Sequence, residues 1–325
     1  MRHPVAGWRS WFFGLALVAA LFGAVLHWGD VEHFAALLKQ AEPGWLGLAA
    51  IFQLSTYAGV AGGWSAVLDR AGTPKPLARL MRVAVTKLFA DQVLPSAGMG
   101  GNVVLVDQLR QLGVSRGTAV AALLLSMIGF YAAYALFAVT MLLLLWLNDR
   151  ATPLMAGIVT LFLAVAIAIP GLALWLRHRG SRPLPSRIEK IALVQSLLET
   201  VSQAPGKLLR DRRLLARVTA CNALIFLADA GTLFACLHAL GQDSSFETAF
   251  IAVMMASIVV TIGPIPLGLG SFEATSTTTL RLLGVPFEAA FAATMLLRLL
   301  TLWLPLAPGM ILMRGMLKAR PARMK

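Results

Sequence analysis

Long apolar runs alternate with short polar connections along the chain. A helix needs about 20 apolar residues to cross a bilayer. Six runs meet that length: 11–28, 45–68, 118–147, 153–176, 214–240 and 287–313. Two further runs, 79–95 and 246–264, are less clear, and the first carries Arg79, Arg82, Lys87 and Asp91. Each of these two leads into a Pro- and Gly-rich stretch, LPSAGMGGN at 94–102 and GPIPLGLGSFE at 263–273.

Loop charge decides what the two short runs do. Lys and Arg collect in cytoplasmic loops. Segment 177–217 is dense in both, and the tail carries Arg314, Lys318 and Arg320, so both are placed inside. The N-terminus with Arg2 and Arg9 follows, as does 69–87. The acidic loops at 29–44 and 241–247 are placed outside. If 79–95 crossed fully, 177–217 would land outside. If 246–264 crossed fully, so would the tail. The charges agree only if each run dips in and returns. The expected fold is therefore an all-α polytopic membrane protein with six full spans and two re-entrant hairpins, one from each face. Both termini are then cytoplasmic. Eight full spans are the alternative. Run 11–28 resembles a signal peptide, but no small-x-small site ends it, and it is read as a retained first span.

A shift of 171 positions carries Pro95 onto Pro266, Leu109-Arg110 onto Leu280-Arg281, and Leu112-Gly113-Val114 onto Leu283-Gly284-Val285. The same shift sets 45–68 on 216–239 and 118–147 on 289–318. The single membrane domain, 1–325, then contains repeat one at 45–147 and repeat two at 216–318. Loop charge sends the first span of each repeat through the membrane in opposite senses. Inverted repeats with broken helices meeting near the midplane are a transporter signature.

Candidate chemistry sits at the two tips and among the ionisable residues at membrane depth. Non-helical backbone is tolerated at that depth only inside protein or beside a watery cavity. Gly98, Gly100 and Gly101 in the first stretch, and Gly263, Gly268 and Gly270 in the second, permit tight turns and close approach. Pro95, Pro264 and Pro266 end the incoming half-helices. The returning half-helices would aim N-terminal amides inward, an arrangement suited to an anion such as a lipid phosphate. Ordinary surface turns are the alternative. Glu273 and the hydroxyls of 275–279 follow the second tip, and Asn102 holds the Glu273 position in the first. The hydroxyls bind a headgroup or, for most of them, back-bond their own helix. Intramembrane charge marks function by default. Asp229, Arg298, Lys87 and Asp91 are the residues concerned, with Asp229 and Arg298 able to pair across adjacent spans. Arg110 and Arg281 occupy equivalent repeat positions after the tips and either join the site or snorkel to an interface.

Composition narrows the class. The chain has 325 residues, 58% of them hydrophobic and 13% charged, with a mean hydropathy of +0.76. Soluble domains carry about 25% charge, so a soluble enzyme is excluded. A net charge of +13 is explained by cytoplasmic loops without invoking nucleic acid. The basic segment 177–213 has an apolar face (Ile188, Ile191, Val194, Leu198) and is read as a cytoplasmic amphipathic helix on anionic headgroups. Cys221 and Cys236 lack metal or redox spacing and are read as packing residues. No metal-ligand pair, nucleophile elbow or nucleotide loop occurs, so no metal, cofactor or enzymatic activity is expected.

LPSAGMGGN with LRQLGVSRGTA, and PIPLGLGSFEA with LRLLGVPFEAA and MLLRLLTLWLP, resemble the lysylphosphatidylglycerol synthase transmembrane-domain family over about 11–315. The resemblance implies a lipid-flippase-like membrane domain. It matches Glu273 and Arg298 to family positions. It also implies kinship with stand-alone members linked to hopanoid, other lipid or polyprenol pathways. The chain departs from the family in its first motif, where Asn102 replaces an acid and Leu105 stands near an expected Arg. Ser126-Met127 stands where a Glu-Arg pair is common.

The leading expectation is an integral protein of the cytoplasmic membrane that moves lipids with polar or anionic headgroups between leaflets. A non-catalytic accessory subunit working with a lipid-biosynthesis enzyme is the alternative, and an intramembrane headgroup transferase the third.

Overall fold

The computed structural model describes residues 39, 41–93, 99–149, 151–179, 205–263, 268–304, 308, 309 and 311. Among these the chain is helix and turn, with no strand. The helices are α1 (Pro43–Arg70), α2 (Leu77–Val93), α3 (Met99–Gln111), α4 (Arg116–Leu147), α5 (Pro153–Arg179), α6 (Gly206–Arg210), α7 (Arg212–Ala239), α8 (Phe246–Ile262), α9 (Ser271–Leu282) and α10 (Phe287–Arg298). A π-helix, Leu299–Trp303, continues α10. Helices α1, α4 and α7 are long and apolar enough to cross a membrane. The protein is an all-helical integral membrane protein.

Helices α1 and α7 form the central seam and run antiparallel. Glu42 N donates to Ala239 O at 2.9 Å at one end, Trp45 packs on His238, and Gly63 lies against Val218 at the other end. Glycines let the two backbones meet. A Cβ on Gly59 would stand 3.0 Å from the Cys221 carbonyl oxygen, and one on Gly231 would stand 3.1 Å from the Phe52 ring. The contacts come in matched pairs. Gly231 lies on Phe52 and Gly62 lies on Cys221. Gly62 and Gly231 are 169 positions apart, and so are Phe52 and Cys221. A seam in which i meets j, and the counterpart of j meets the counterpart of i, has local two-fold character perpendicular to both helices.

Two cores grow from opposite ends of this seam. In one, the C-terminal half of α1 packs with α2, α3, the start of α4 and Leu214 and Val218 of α7. In the other, the C-terminal half of α7 packs with α8, α9, α10 and Ala49 of α1. A third core joins α4, α5, α7 and α8. Because the seam is antiparallel, the α2–α3 and α8–α9 hairpins sit at opposite ends of it.

Helix terminations recur with the same spacing. Gly72 at φ 73° ends α1, and Gly241 at φ 71° ends α7, 169 positions later. Gly113 at φ 81° ends α3, and Gly284 at φ 99° ends α9, 171 positions later. A left-handed glycine just past the last turn satisfies end carbonyls without a Cβ clash. The shift of 171 positions therefore holds after the tips but not before them, where it is 169. The difference lies in the connections. Residues 94–98 join α2 to α3, whereas the longer stretch 263–270 joins α8 to α9.

Three expected elements differ or fall elsewhere. Run 11–28, and residues 180–204 of the expected amphipathic helix, lie outside the described residues. At the end of that segment Asp211 breaks the helix at φ −75°, ψ 101°. Its carboxylate accepts from Arg213 N and Leu214 N, both at 3.1 Å, so residues 212–213 open α7 instead. Run 287–313 is also not one continuous α-helix, because the π-helix begins at Leu299.

Two outcomes follow from this packing. Gly59→Val places a branched side chain against backbone. It should cost about 1–3 kcal/mol, seen as a lower melting temperature in detergent, whereas Gly44→Ala, with open space around it, should leave melting unchanged. The second concerns Asp211, which Arg70 Nε bonds at 2.7 Å. That hydrogen bond, aided by the Leu214 amide, holds the Asp211 carboxyl below its ordinary value. A lowered folded value stabilises above the ordinary carboxylate range and is lost as pH falls through the folded value. Asp211→Ala should therefore lower the melting temperature at neutral pH, with the gap to wild type closing below about pH 4.

Candidate functional site

At the second tip, three elements meet around one carboxylate. Glu273 lies in the first turn of α9, and its Oε2 accepts from Gly270 N at 2.7 Å. Its Oε1 accepts from Arg298 Nε, on α10, also at 2.7 Å. The side chains are 13% and 12% exposed, so the pair is largely removed from water. The Arg298 guanidinium lies 4.8 Å from the Phe272 ring centroid, a cation–π contact. Gly270 has φ 83° and Gly268 φ 62°, both open to glycine at little cost. A Cβ on Gly268 would collide with Val260 of α8. The tip therefore folds tightly onto its own incoming helix.

The first tip reaches a similar result with other residues. Lys87 Nζ donates to Asp91 Oδ2 at 2.6 Å within α2. Asp91 Oδ1 accepts from Gly101 N at 3.1 Å, and a Cβ on Gly101 would strike that carboxylate. Asp91 and Val260 are 169 positions apart and so occupy corresponding places on α2 and α8. Each hairpin thus holds one ion pair, and one carboxylate of each pair caps a tip amide. These amides, expected to face a lipid anion, are already bonded to carboxylates of the chain itself.

The tips are connected. The chain leaves Arg298 into the π-helix, whose wide turn closes with Leu304 N donating to Leu299 O at 3.3 Å. Gln92 Nε2, at the end of α2, donates to Thr301 O in that segment at 3.4 Å. Gly309 sits against Phe89 of α2 with no room for a Cβ. Single π-turns occur often at functional sites, and this one joins the first hairpin to the residue that holds the second.

The structure sorts the other expected residues. Asp229 and Arg298 do not pair. Arg298 bonds Glu273, which is near it on the next helix back, while Asp229 faces Gln53 across the seam. Arg110 and Arg281 are exposed in the last turns of α3 and α9, where a cation complements the helix dipole, and stand apart from the ion pairs. Asn102 is half-buried at the start of α3, with Gly100 beside it. Pro95, Gly98 and Pro266 lie outside the described residues. Ser276 bonds Thr294 across α9 and α10 at 3.0 Å rather than its own helix, because a buried hydroxyl finds that neighbour first. Sequence reading missed Gln53, Gln92, Phe272 and Thr301. Gln53 and Gln92 were visible as amides in apolar runs, whereas Phe272 and Thr301 carried no signal. No group of three or more His, Cys, Asp or Glu that could hold a metal occurs among the described residues.

The Glu273–Arg298 pair sets up a thermodynamic test. Removing one member of a largely buried pair strands the other charge and costs about 3–5 kcal/mol. Glu273→Gln and Arg298→Gln should each lower the melting temperature sharply. The double variant should lose less than the sum, and a double-mutant cycle in detergent measures that difference.

Comparison with curated proteins gives no match. A family model described as the lysylphosphatidylglycerol synthase TM region matches residues 11–309, which include both hairpins, the central seam and the Glu273–Arg298 pair. The chain belongs to that family.

Proposed function

We propose that this protein moves membrane lipids with polar or anionic headgroups between leaflets, without catalysing a reaction on them. The observation that carries this reading is the pair of short hairpins at opposite ends of an antiparallel two-fold seam, each with an ion pair near its tip. Helix α2 has 17 residues and α3 has 13, about 25 and 20 Å at 1.5 Å per residue. Helices α8 and α9, with 17 and 12, are similar. All are shorter than the roughly 30 Å hydrocarbon layer. On this reading they enter from opposite faces and return. The two sets of helices, α1–α4 and α7–α10, form an inverted repeat, and the membrane is the cytoplasmic one with both termini inside. Rocking one set against the other about the seam would open the tips alternately to each leaflet. The headgroup would rest beside the tips, near Asn102 and the two ion pairs that already occupy the tip amides, and the acyl tails would stay in lipid. Asymmetry favours this use. Asn102 and Met127 stand where repeat two has Glu273 and Arg298, so the two tips build their ion pairs from residues at different repeat positions.

Family membership supports a lipid-related role at the membrane. An accessory role beside a lipid-biosynthesis enzyme is the second reading, favoured if the purified protein binds such an enzyme and moves no lipid.

Reconstituted vesicles with fluorescent lipids of anionic, zwitterionic and cationic headgroups test the proposal. The wild type should expose labelled inner-leaflet lipid to an external quencher. Arg298→Gln should slow this at least about tenfold, equivalent to about 1.4 kcal/mol. Lipid movement no faster than in empty vesicles, across the whole panel, overturns the reading. The hairpins have their own test, in a background lacking Cys221 and Cys236. A cysteine at 98 should react with an impermeant thiol reagent from the cytoplasmic side, and one at 270 from the outer side. The opposite result makes both segments full spans.

A further inference from the structure

The middle of the α1–α7 seam holds a second polar group that the tips do not use. Asp229 lies near the centre of α7, where the pairing of Phe52 with Gly231 brings it opposite Gln53, whose side chain reaches Thr232 of the same helix and acts on the Asp229 carboxyl. Around it Gln53 is 4% exposed, Tyr57 4% and Thr232 0%. The Tyr57 hydroxyl is buried with no hydrogen-bond partner among the described residues, and it feels the Asp229 charge. Asp229 itself retains some accessible surface.

Its partners are neutral. No ion pair to Asp229 occurs among the described residues. Tyr57 is the titratable group facing it from α1. On the other helices packed against α7 the titratable groups have other engagements or places. Tyr134 on α4 bonds Thr261, and Tyr131 packs edge-on against Phe130. Glu247 on α8 holds Asn148. On α10 Arg298 bonds Glu273, and Glu288 lies in the exposed first turn. On α7 itself Arg217, Cys221, Cys236 and His238 lie about two helical turns or more away along the chain.

Such a carboxyl is not pinned in one charge state. Gln53 can serve both forms, because its amide N–H₂ donates to a carboxylate and its carbonyl accepts from a carboxylic acid. Tyr57 can likewise donate to one and accept from the other. The two-fold seam sharpens the point. The counterparts of Gln53 and Asp229 are Asn222 and Val60, so the amide is present twice and the acid once. Structural packing alone would be served by a second valine. An ionisable residue inside a membrane-spanning helix marks a functional site by default, and a carboxyl with neutral neighbours suits a proton relay among the uses such residues have.

We propose that Asp229, with Gln53 and Tyr57, is a proton-binding site, and that loading and unloading it couples lipid movement to a proton gradient. The coupling rests on the transport function proposed above, but the site does not. The chemistry is one O–H bond. A proton from water adds to an Asp229 oxygen on one side of the cycle and leaves that oxygen to water on the other.

The test uses the full chain in vesicles and dicyclohexylcarbodiimide, an apolar reagent whose nitrogen takes the proton of a carboxylic acid at membrane depth while the carboxyl oxygen adds to its central carbon. Peptide mass spectrometry should find the adduct on Asp229 at low pH, fading as pH rises and absent in Asp229→Asn, which keeps the side-chain size. Tyr57→Phe should shift the pH at which labelling fades. An imposed pH gradient should change the rate of lipid movement in the wild type and leave Asp229→Asn unaffected. No adduct at any pH, or an adduct independent of pH, overturns the site. A pH gradient acting equally on wild type and Asp229→Asn overturns the coupling. Labelling that fades with pH in vesicles that move no lipid upholds the site and refutes the transport function, which separates the two failures.

Discussion

The structure depends on the close approach of α1 and α7. Apolar side chains gain nothing by leaving lipid for protein, so helices in a membrane are held by close packing and polar contacts. Gly59, Gly62 and Gly63 on α1 and Gly231 on α7 supply the closeness. Gln53, Asp229 and Thr232 supply polar contacts in the same seam. Everything else hangs from this pair. Each hairpin packs on the C-terminal half of one of the two helices, and antiparallel pairing sends the hairpins to opposite ends. Gly129 extends the same principle to α4, where a Cβ would stand 3.0 Å from Val218.

The tips show how the irregular backbone between two short helices is satisfied. Unsatisfied amides in a membrane are costly, and both turns answer with a carboxylate from the chain: Asp91 for Gly101 and Glu273 for Gly270. A buried carboxylate then needs a cation, and Lys87 or Arg298 provides it. The difference between the solutions has a mechanical consequence. Lys87 and Asp91 belong to one helix, so the first ion pair travels with its hairpin. Glu273 and Arg298 belong to two helices, so movement of the second hairpin against α10 must stretch or break theirs. The π-turn beyond Arg298 carries the Thr301 carbonyl that Gln92 of the first hairpin bonds.

On the proposed reading, the seam and the tips divide the work of lipid movement between them. Charge at the tips suits recognition of a headgroup, since the pairs are fixed and close to where the hairpins turn. The lone acid in the seam suits a change of state, since its neighbours are neutral and its helices are the ones about which the two halves would rock.

Much of this was legible in the sequence because it depends on local chemistry. Apolar runs of bilayer length determined α1, α4 and α7. Pro and Gly determined where α2 and α8 stop. The shared Leu-Gly-Val after α3 and α9 marks a helix end that only glycine closes well. Arg298 stood out as a charge inside an apolar run, and Glu273 by its place just after the second tip. Tertiary structure alone decided which charge meets which. Asp229 and Arg298 looked like partners because both lie inside apolar runs and are opposite in sign. Arg298 reaches Glu273 instead, because α9 packs beside α10 while Asp229 is held in the α1–α7 seam. The 169-position register before the tips was hidden for a related reason. A longer connection at 263–270 shifts the numbering without disturbing the packing, and linear spacing cannot see a difference that a turn absorbs.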